Sequence, residues 1–355
     1  MVKRMLATLL LSAGSQAALA QRAAQLEALL KRYQVPGMQL VYTHGRQVEA
    51  YSLGVRKAGA SQPVTATTTF EACSLGKEML AYVALRLHDR GLLDLDKPLL
   101  AYYDYPRLRG QARAARITAR MALAHTTGLP NWADNPTLPS WKTSALALKY
   151  APDSCWNYSG EGYTFLQKTL EQLTGKSWEK LAQEEVFTPL GLPHSSFQWH
   201  PAYAATASAG HSEAGAPAPI DHFADPYAGF SLYSTAADYS RFVQALRTGR
   251  GLRPATARLL HTPASAADRC GQPASAADAH ISWACGVGLA DTSQGLGQWQ
   301  WGDNGTFKSF FMALPGKQES LVFFTNSANG AKLTDELLQL FFGPGQYWTA
   351  QWLGD

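Results

Sequence analysis

A chain of 355 residues, 46% of them apolar and 16% charged, has ample material for one large domain or two closely packed lobes. The formal charge of +4 is carried mostly by scattered basic residues, which excludes an extended nucleic-acid footprint. The one enriched stretch, Arg107 to Arg120, reads as a solvated basic loop.

The N-terminus reads as a cleavable export signal. Lys3 and Arg4 form a positive start, Met5–Leu11 an apolar run, and Ala18-Leu19-Ala20 a small-residue cleavage site before Gln21. The apolar run is too short to span a bilayer and no Cys near the cut could carry a lipid, so a periplasmic or secreted protein without stable membrane insertion is expected. Export makes the four cysteines candidates for disulfides. Cys270 and Cys285 flank a loop, and Cys73 could approach Cys155; buried free thiols are the alternative for the latter two, and the sequence does not choose among the pairings. The nine histidines are dispersed and no cluster has zinc-site spacing, so neither a metal nor another cofactor is expected.

Arg22–Tyr33 has helical periodicity and ends before Pro36-Gly37. Met38–Thr43 and Val48–Leu53 read as strands joined at His44-Gly45. A helix-rich middle follows: Leu75–Arg90, stopped by Gly91; Gly162–Leu173, stopped by Gly175; Trp178–Val186; and Ala236–Leu246. Ala205–Pro219, rich in Gly, Ala and Pro, reads as a long surface loop. Ser282–Leu289, Gln298–Trp301, Ser309–Leu314 and Leu321–Thr325 read as strands, and Leu333–Phe342 as a closing amphipathic helix. The pattern predicts an α+β fold: a lobe of residues 21–68 and 282–355, whose antiparallel sheet is built from both termini, beside a helical lobe of residues 69–281.

Ser74-Leu75-Gly76-Lys77 is an S-x-x-K where a loop becomes a helix. Positions i and i+3 share a helix face, so the lysine amine can reach the serine hydroxyl and take its proton. The tetrapeptide alone is cheap: Ser177-Trp178-Glu179-Lys180 repeats it, and there Ser177 reads as an ordinary N-cap. The surroundings of Ser74 carry more. Thr69–Lys77 followed by Leu87–Asp96, then Leu123–Pro130, Tyr158-Ser159-Gly160-Glu161-Gly162-Tyr163 and Ala228–Thr235 stand in an order that resembles the serine β-lactamase and penicillin-binding-protein family. The likeness is greatest to its class C and family VIII carboxylesterase branch, and it spans residues 36 to 328.

The resemblance implies a β-lactamase/transpeptidase-like fold with the active site at the lobe junction, Ser74 as nucleophile, Lys77 as its activator, and Tyr158 as a proton relay held near the phenolate by Lys77. It gives His125 no catalytic role, and a structural histidine in a turn is expected. It also implies that Trp301–Thr306 walls the site, with the Thr306 N–H joining that of Ser74 as oxyanion donors and Asp303, Asn304 and Gly305 beside the substrate. Two departures stand out. Gly160 replaces the family's Asn, an amide that helps hold a β-lactam side chain. Asp303 stands where Lys or His usually receives the substrate carboxylate, with Lys308 or Lys77 as its possible partner.

These features favour a small ester or short peptide-like substrate hydrolysed through an acyl-enzyme, with esterase-like preference. β-Lactamase, D,D-peptidase or D-aminopeptidase activity is the alternative, or a catalytically weak covalent ligand sensor. An α/β-hydrolase is excluded by the missing G-x-S-x-G, and a nucleotide enzyme by the missing glycine fingerprints.

Overall fold

A computed structural model of the chain describes residues 13–354. The first helix, Ala13–Tyr33, runs through the expected cleavage point, and residues 1–12 of the expected export signal lie outside the described part. Among the described residues no helix is long and apolar enough to cross a membrane.

The framework is an eight-stranded antiparallel sheet. Its strands lie in the order Gln47–Gly54, Gly37–His44, Glu319–Thr325, Lys308–Leu314, Gly295–Asp303, Gly288–Thr292, Ile281–Trp283 and Ser265–Ala266. The two ends of the chain therefore meet within the sheet, one strand in from the Gln47–Gly54 edge, where Met38 pairs with Thr325 and His44 with Glu319. Alternation along each strand gives the sheet two apolar faces. Met38, Leu40, Phe310, Met312 and Phe323 pack under the terminal helices, whereas Val41, Phe311, Val322 and Phe324 pack against the helical lobe. A strand buried on both sides shows little polar alternation, and Gly37–Thr43 is indeed buried throughout.

Several expected boundaries move. Ser282–Leu289 is not one strand: the chain turns at Gly286, with a φ of 92°, and separates Ile281–Trp283 from Gly288–Thr292. The sheet also takes up Ser265–Ala266, ahead of the expected boundary at residue 282. A further helix, Trp348–Gly354, follows Thr334–Phe342 and buries Trp352. Ala205–Pro219 is not a free loop. Gly210–His211 pairs with Pro217–Ala218, and the buried His211 ring hydrogen-bonds the Asn326 carbonyl at 2.6 Å and the Ala58 N–H at 2.9 Å.

Both disulfide possibilities that the sequence singled out are also corrected, because Cys155 bonds to Cys270. Cys73 and Cys285 are buried thiols. The Cys270 N–H donates to the Trp156 carbonyl at 2.9 Å, so the covalent bond closes a contact that the backbone already makes.

The basic stretch is likewise not all solvated. Arg107 is buried and makes a two-pronged pair with Glu161, at 2.6 and 3.0 Å. Glu161 lies in the first turn of the helix Gly160–Thr174, and its Oε1 also accepts from the Ala133 N–H at 2.9 Å and Trp141 Nε1 at 2.6 Å. Removing one partner would strand a buried charge. Arg107→Ala is expected to lower unfolding free energy by about 3–5 kcal/mol in urea titrations. Arg107→Lys should lose less, keeping the charge without the fork; a loss under ~1 kcal/mol for the alanine variant would show that the pair is solvated.

Candidate active site

The nucleophile candidate sits between a strand and a helix. Phe70–Cys73 is a short buried strand, Cys73 takes a left-handed φ of 55°, and the helix Gly76–Asp89 begins two residues after Ser74. A non-glycine residue in that conformation is strained and turns the next side chain out of the strand line. The Cys73 thiol is no rival nucleophile: it is buried, and burial pushes its pKa well up.

Lys77 lies one helical turn on, with Nζ 2.9 Å from Ser74 Oγ. The Gly229 carbonyl accepts from Lys77 Nζ at 2.7 Å and from Ser74 Oγ at 3.1 Å, fixing both groups. Lys77 is fully buried, and no carboxylate is paired with it among the described residues. Burial lowers its pKa to about 7, so a large share of the amine is neutral near neutrality and can accept a proton. Glu78 beside it acts the other way on Lys77, but burial outweighs it and raises the pKa of Glu78 itself.

Tyr158 closes the group. The Lys77 ammonium lies 4.9 Å from its ring centroid, and Gln300 Nε2 donates to its hydroxyl at 3.1 Å. Burial dominates the phenol and raises its pKa, outweighing the neighbouring Ser74 and the hydrogen bond from Gln300, which act the other way. Burial thus works against the phenolate that the resemblance implied and favours the protonated phenol. His125 stacks under Tyr158 at a centroid distance of 4.4 Å and accepts the Ser159 N–H on Nδ1 at 3.0 Å. Burial lowers its pKa well below the usual value, so it is a neutral packing residue. The second S-x-x-K is the N-cap it resembled, with Ser177 accepting from the Lys180 N–H.

The strand segment is where the sequence reading is corrected most. Period two places Gln300 and Gly302 on the face turned to Ser74, and Trp299, Trp301 and Asp303 on the other, from which the Trp301 ring still packs on Tyr158 at 4.7 Å. A Cβ at Gly302 would lie 2.7 Å from the Ala72 carbonyl and 2.9 Å from Cys73 Cβ, so only glycine lets the strand approach the nucleophile's strand. Asp303 instead pairs with Lys308, accepts the Gly305 N–H at 2.7 Å, and lines a 130 Å³ cleft with Phe310 and Phe323 under the terminal helices. Asn304 is structural, donating to Glu71 at 2.6 Å and to the Phe230 carbonyl at 3.1 Å.

The Thr306 N–H is committed to the Asn304 carbonyl at 3.0 Å and is not a free donor. The Asn304 N–H donates to the Phe307 carbonyl across the hairpin. By the alternation of an antiparallel pair, the N–H of Asp303 then points away from the partner strand. The neighbouring strand on that side pairs no further than Trp299, so this donor is left open. Sequence reasoning missed Gln300 and the Gly229 carbonyl. The Trp299/Trp301 alternation was the available signal for Gln300; a backbone carbonyl leaves none.

Tyr158 also borders a cavity of about 390 Å³, walled by Trp156, Trp301, Trp352, Arg269 and Lys149. Arg269 stacks on Trp352 at 4.0 Å and donates to its carbonyl, which ties the disulfide loop to the last helix. Gly160, at the head of its helix, faces the ring of Trp132.

Comparison with known proteins agrees with this architecture. The chain is 26% identical over 342 residues to "Penicillin-binding protein 4" of Amycolatopsis lactamdurans, covering 90% of this chain and 88% of that one. It is 26% identical over 276 residues to "Esterase EstB" of Burkholderia gladioli, covering 65% and 70% respectively. A solved class C beta-lactamase superposes with a TM-score of 0.75 at 18% identity, over 92% of this chain and 97% of that structure, and so shares its fold. The Beta-lactamase family profile matches residues 22–340, and the chain belongs to that family of serine β-lactamase and penicillin-binding-protein-like hydrolases.

Proposed function

We propose that the protein hydrolyses an ester or a reactive amide through an acyl-enzyme on Ser74, with an esterase-like preference. The observation that carries this reading is a fully buried lysine amine, 2.9 Å from the Ser74 hydroxyl, whose surroundings favour its neutral form.

In the proposed sequence Lys77 takes the Ser74 proton as Oγ bonds to the substrate carbonyl carbon. The carbonyl electron pair moves to oxygen, where the N–H groups of Ser74 and Asp303 receive it. Collapse breaks the bond to the leaving group, which takes the Tyr158 proton, and Lys77 returns a proton to Tyr158. Water then attacks the acyl-enzyme with the same groups in reversed roles. The cavity beside Tyr158 lies where the leaving group departs, and Gln300 holds the phenol in line.

Two features favour esters over β-lactams: Gly160 supplies no side-chain amide, and Gln300 presents no positive charge to a substrate carboxylate. Esterase EstB of Burkholderia gladioli supports the ester reading as a relative, while Penicillin-binding protein 4 keeps peptide-like substrates as the alternative. Export with cleavage after Ala20 belongs to the same proposal. It is supported by the Lys3–Ala20 pattern and by the Cys155–Cys270 disulfide, a bond that persists in oxidising compartments.

Intact-mass measurements with a fluorophosphonate, a nitrophenyl ester and a penicillin test the nucleophile. Wild type should gain one adduct per chain, transient with the ester, and Ser74→Ala none; an adduct that survives Ser74→Ala would sink the assignment. For nitrophenyl acetate, kcat/KM should rise with pH through about 7 as Lys77 loses its proton. Lys77→Arg, which stays protonated, should lose on the order of 10²–10⁴-fold. A limb unmoved in a Lys77→Ala enzyme would assign it to another group. Gln300→Leu should lower kcat/KM about tenfold or more, while Asp303→Asn should leave it within about threefold, since only the former bonds the phenol.

A further inference from the structure

Four directions leave the carbon that Ser74 attacks, and the surroundings assign three of them. One is the bond to Oγ, one the oxyanion toward the Ser74 and Asp303 N–H groups, and one the leaving group toward the Tyr158 phenol. The fourth, the acyl substituent, faces Gly160 and Gly229, and both glycines are covered by one indole ring. A Cβ built on Gly160 would lie 2.3 Å from Trp132 Cη2 and Cζ2; one built on Gly229 would lie 2.8 Å from Cη2. The same ring stands 5.8 Å from the Lys77 ammonium. Trp132 thus fills the volume that a side chain at position 160 would take.

The ring is half-buried and is held by its neighbours on the protein side. Edge-to-face packing on Trp141 at 5.7 Å and on Phe230 at 5.5 Å sets its plane. Its backbone is anchored on both flanks. The Asn131 carbonyl accepts the Glu161 N–H at 3.0 Å, Asn131 Oδ1 accepts the Gly160 N–H at 3.0 Å, and the Ala133 N–H donates to the buried Glu161 carboxylate at 2.9 Å. That carboxylate is in turn clamped by Arg107. A tryptophan fixed in this way acts as a wall.

We propose that Trp132 determines acyl specificity: it closes the acyl side of the site and restricts the protein to short, unbranched acyl groups, with bulk tolerated only on the leaving-group side. The proposal rests on the acyl-enzyme reading above, and it adds the substrate class. Its physical content is a size asymmetry. A cavity of about 390 Å³, bordered by Pro130 and Asn131, opens beside Tyr158, whereas the space over Gly160 and Gly229 is occupied by the Trp132 ring.

The test is a chain-length series in wild type, Trp132→Ala and Trp132→Leu. Nitrophenyl esters from acetyl to octanoyl report turnover, and fluorophosphonates with short and long alkyl chains report attack by Ser74 alone. Wild type should prefer acetyl over octanoyl by at least tenfold. The ratio of octanoyl to acetyl kcat/KM should rise at least tenfold in Trp132→Ala and by less in Trp132→Leu, with the same trend in fluorophosphonate labelling rates. Equal ratios in wild type and in a variant that labels at Ser74 would overturn the proposal. If no ester turns over but the short and long fluorophosphonates still show the shift, the acyl wall stands and the hydrolase reading falls. Because Trp132→Ala removes aromatic packing, its melting temperature is measured alongside. If it is unfolded, Trp132→Leu decides, and an unchanged ratio there counts against the wall.

Discussion

Desolvation of one lysine is the constraint on which the rest of the site depends. In water Lys77 would hold its proton and Ser74 would be an ordinary alcohol. Here the ammonium is stripped of water by the Tyr158 and Tyr163 rings, by Trp132 and by the helix it belongs to, and burial brings its pKa to about 7. Among the described residues, the Gly229 carbonyl and Ser74 Oγ are the groups that accept from it. Such a group is tolerable only in a well-packed surround, which two layers supply: the aromatic helical lobe above and the sheet below. The buried Arg107–Glu161 pair serves this arrangement from a distance, since it fixes the segment carrying Trp132 and the start of the helix after Tyr158.

The same burial divides labour between the two titratable groups. It lowers the pKa of a cationic acid and raises that of a neutral one, so one environment supplies a proton acceptor in Lys77 and a proton donor in Tyr158. No carboxylate is needed. Glu71 and Glu78, on the elements that flank Ser74, are themselves buried, with their pKa values raised by that burial.

Much of this was legible in the sequence, and the remainder failed for reasons of geometry. Ser74 and Lys77 meet because helical spacing is local and rigid. Tyr158 was reached through the ordered motifs around it. A strand was recognised at Gln298–Trp301, within the observed Gly295–Asp303, but its facing was not: a period-two element turns every side chain over with a shift of one residue, and nothing nearby pinned the register. Asp303, Asn304, Gly305 and Thr306 were therefore placed toward the substrate, when Gln300 and Gly302 hold that face. The Cys155–Cys270 bond escaped because disulfide partners are chosen by tertiary proximity. Arg107 was hidden among solvated arginines, and only its burial against Glu161 distinguishes it. Trp132 carries no local signal, because its role exists only opposite two glycines distant in the chain.

The way the sheet closes has a consequence for how the protein comes to exist. The strand Gly37–His44 is an early product of synthesis, yet it lies between Gln47–Gly54 and Glu319–Thr325. Only the local hairpin with Gln47–Gly54 can form early; its other edge stays unsatisfied until nearly the whole polypeptide has emerged. Such distant pairing makes for slow acquisition of structure and a long interval in which the chain is loose. A polypeptide with that habit holds its sheet open until its last strands arrive.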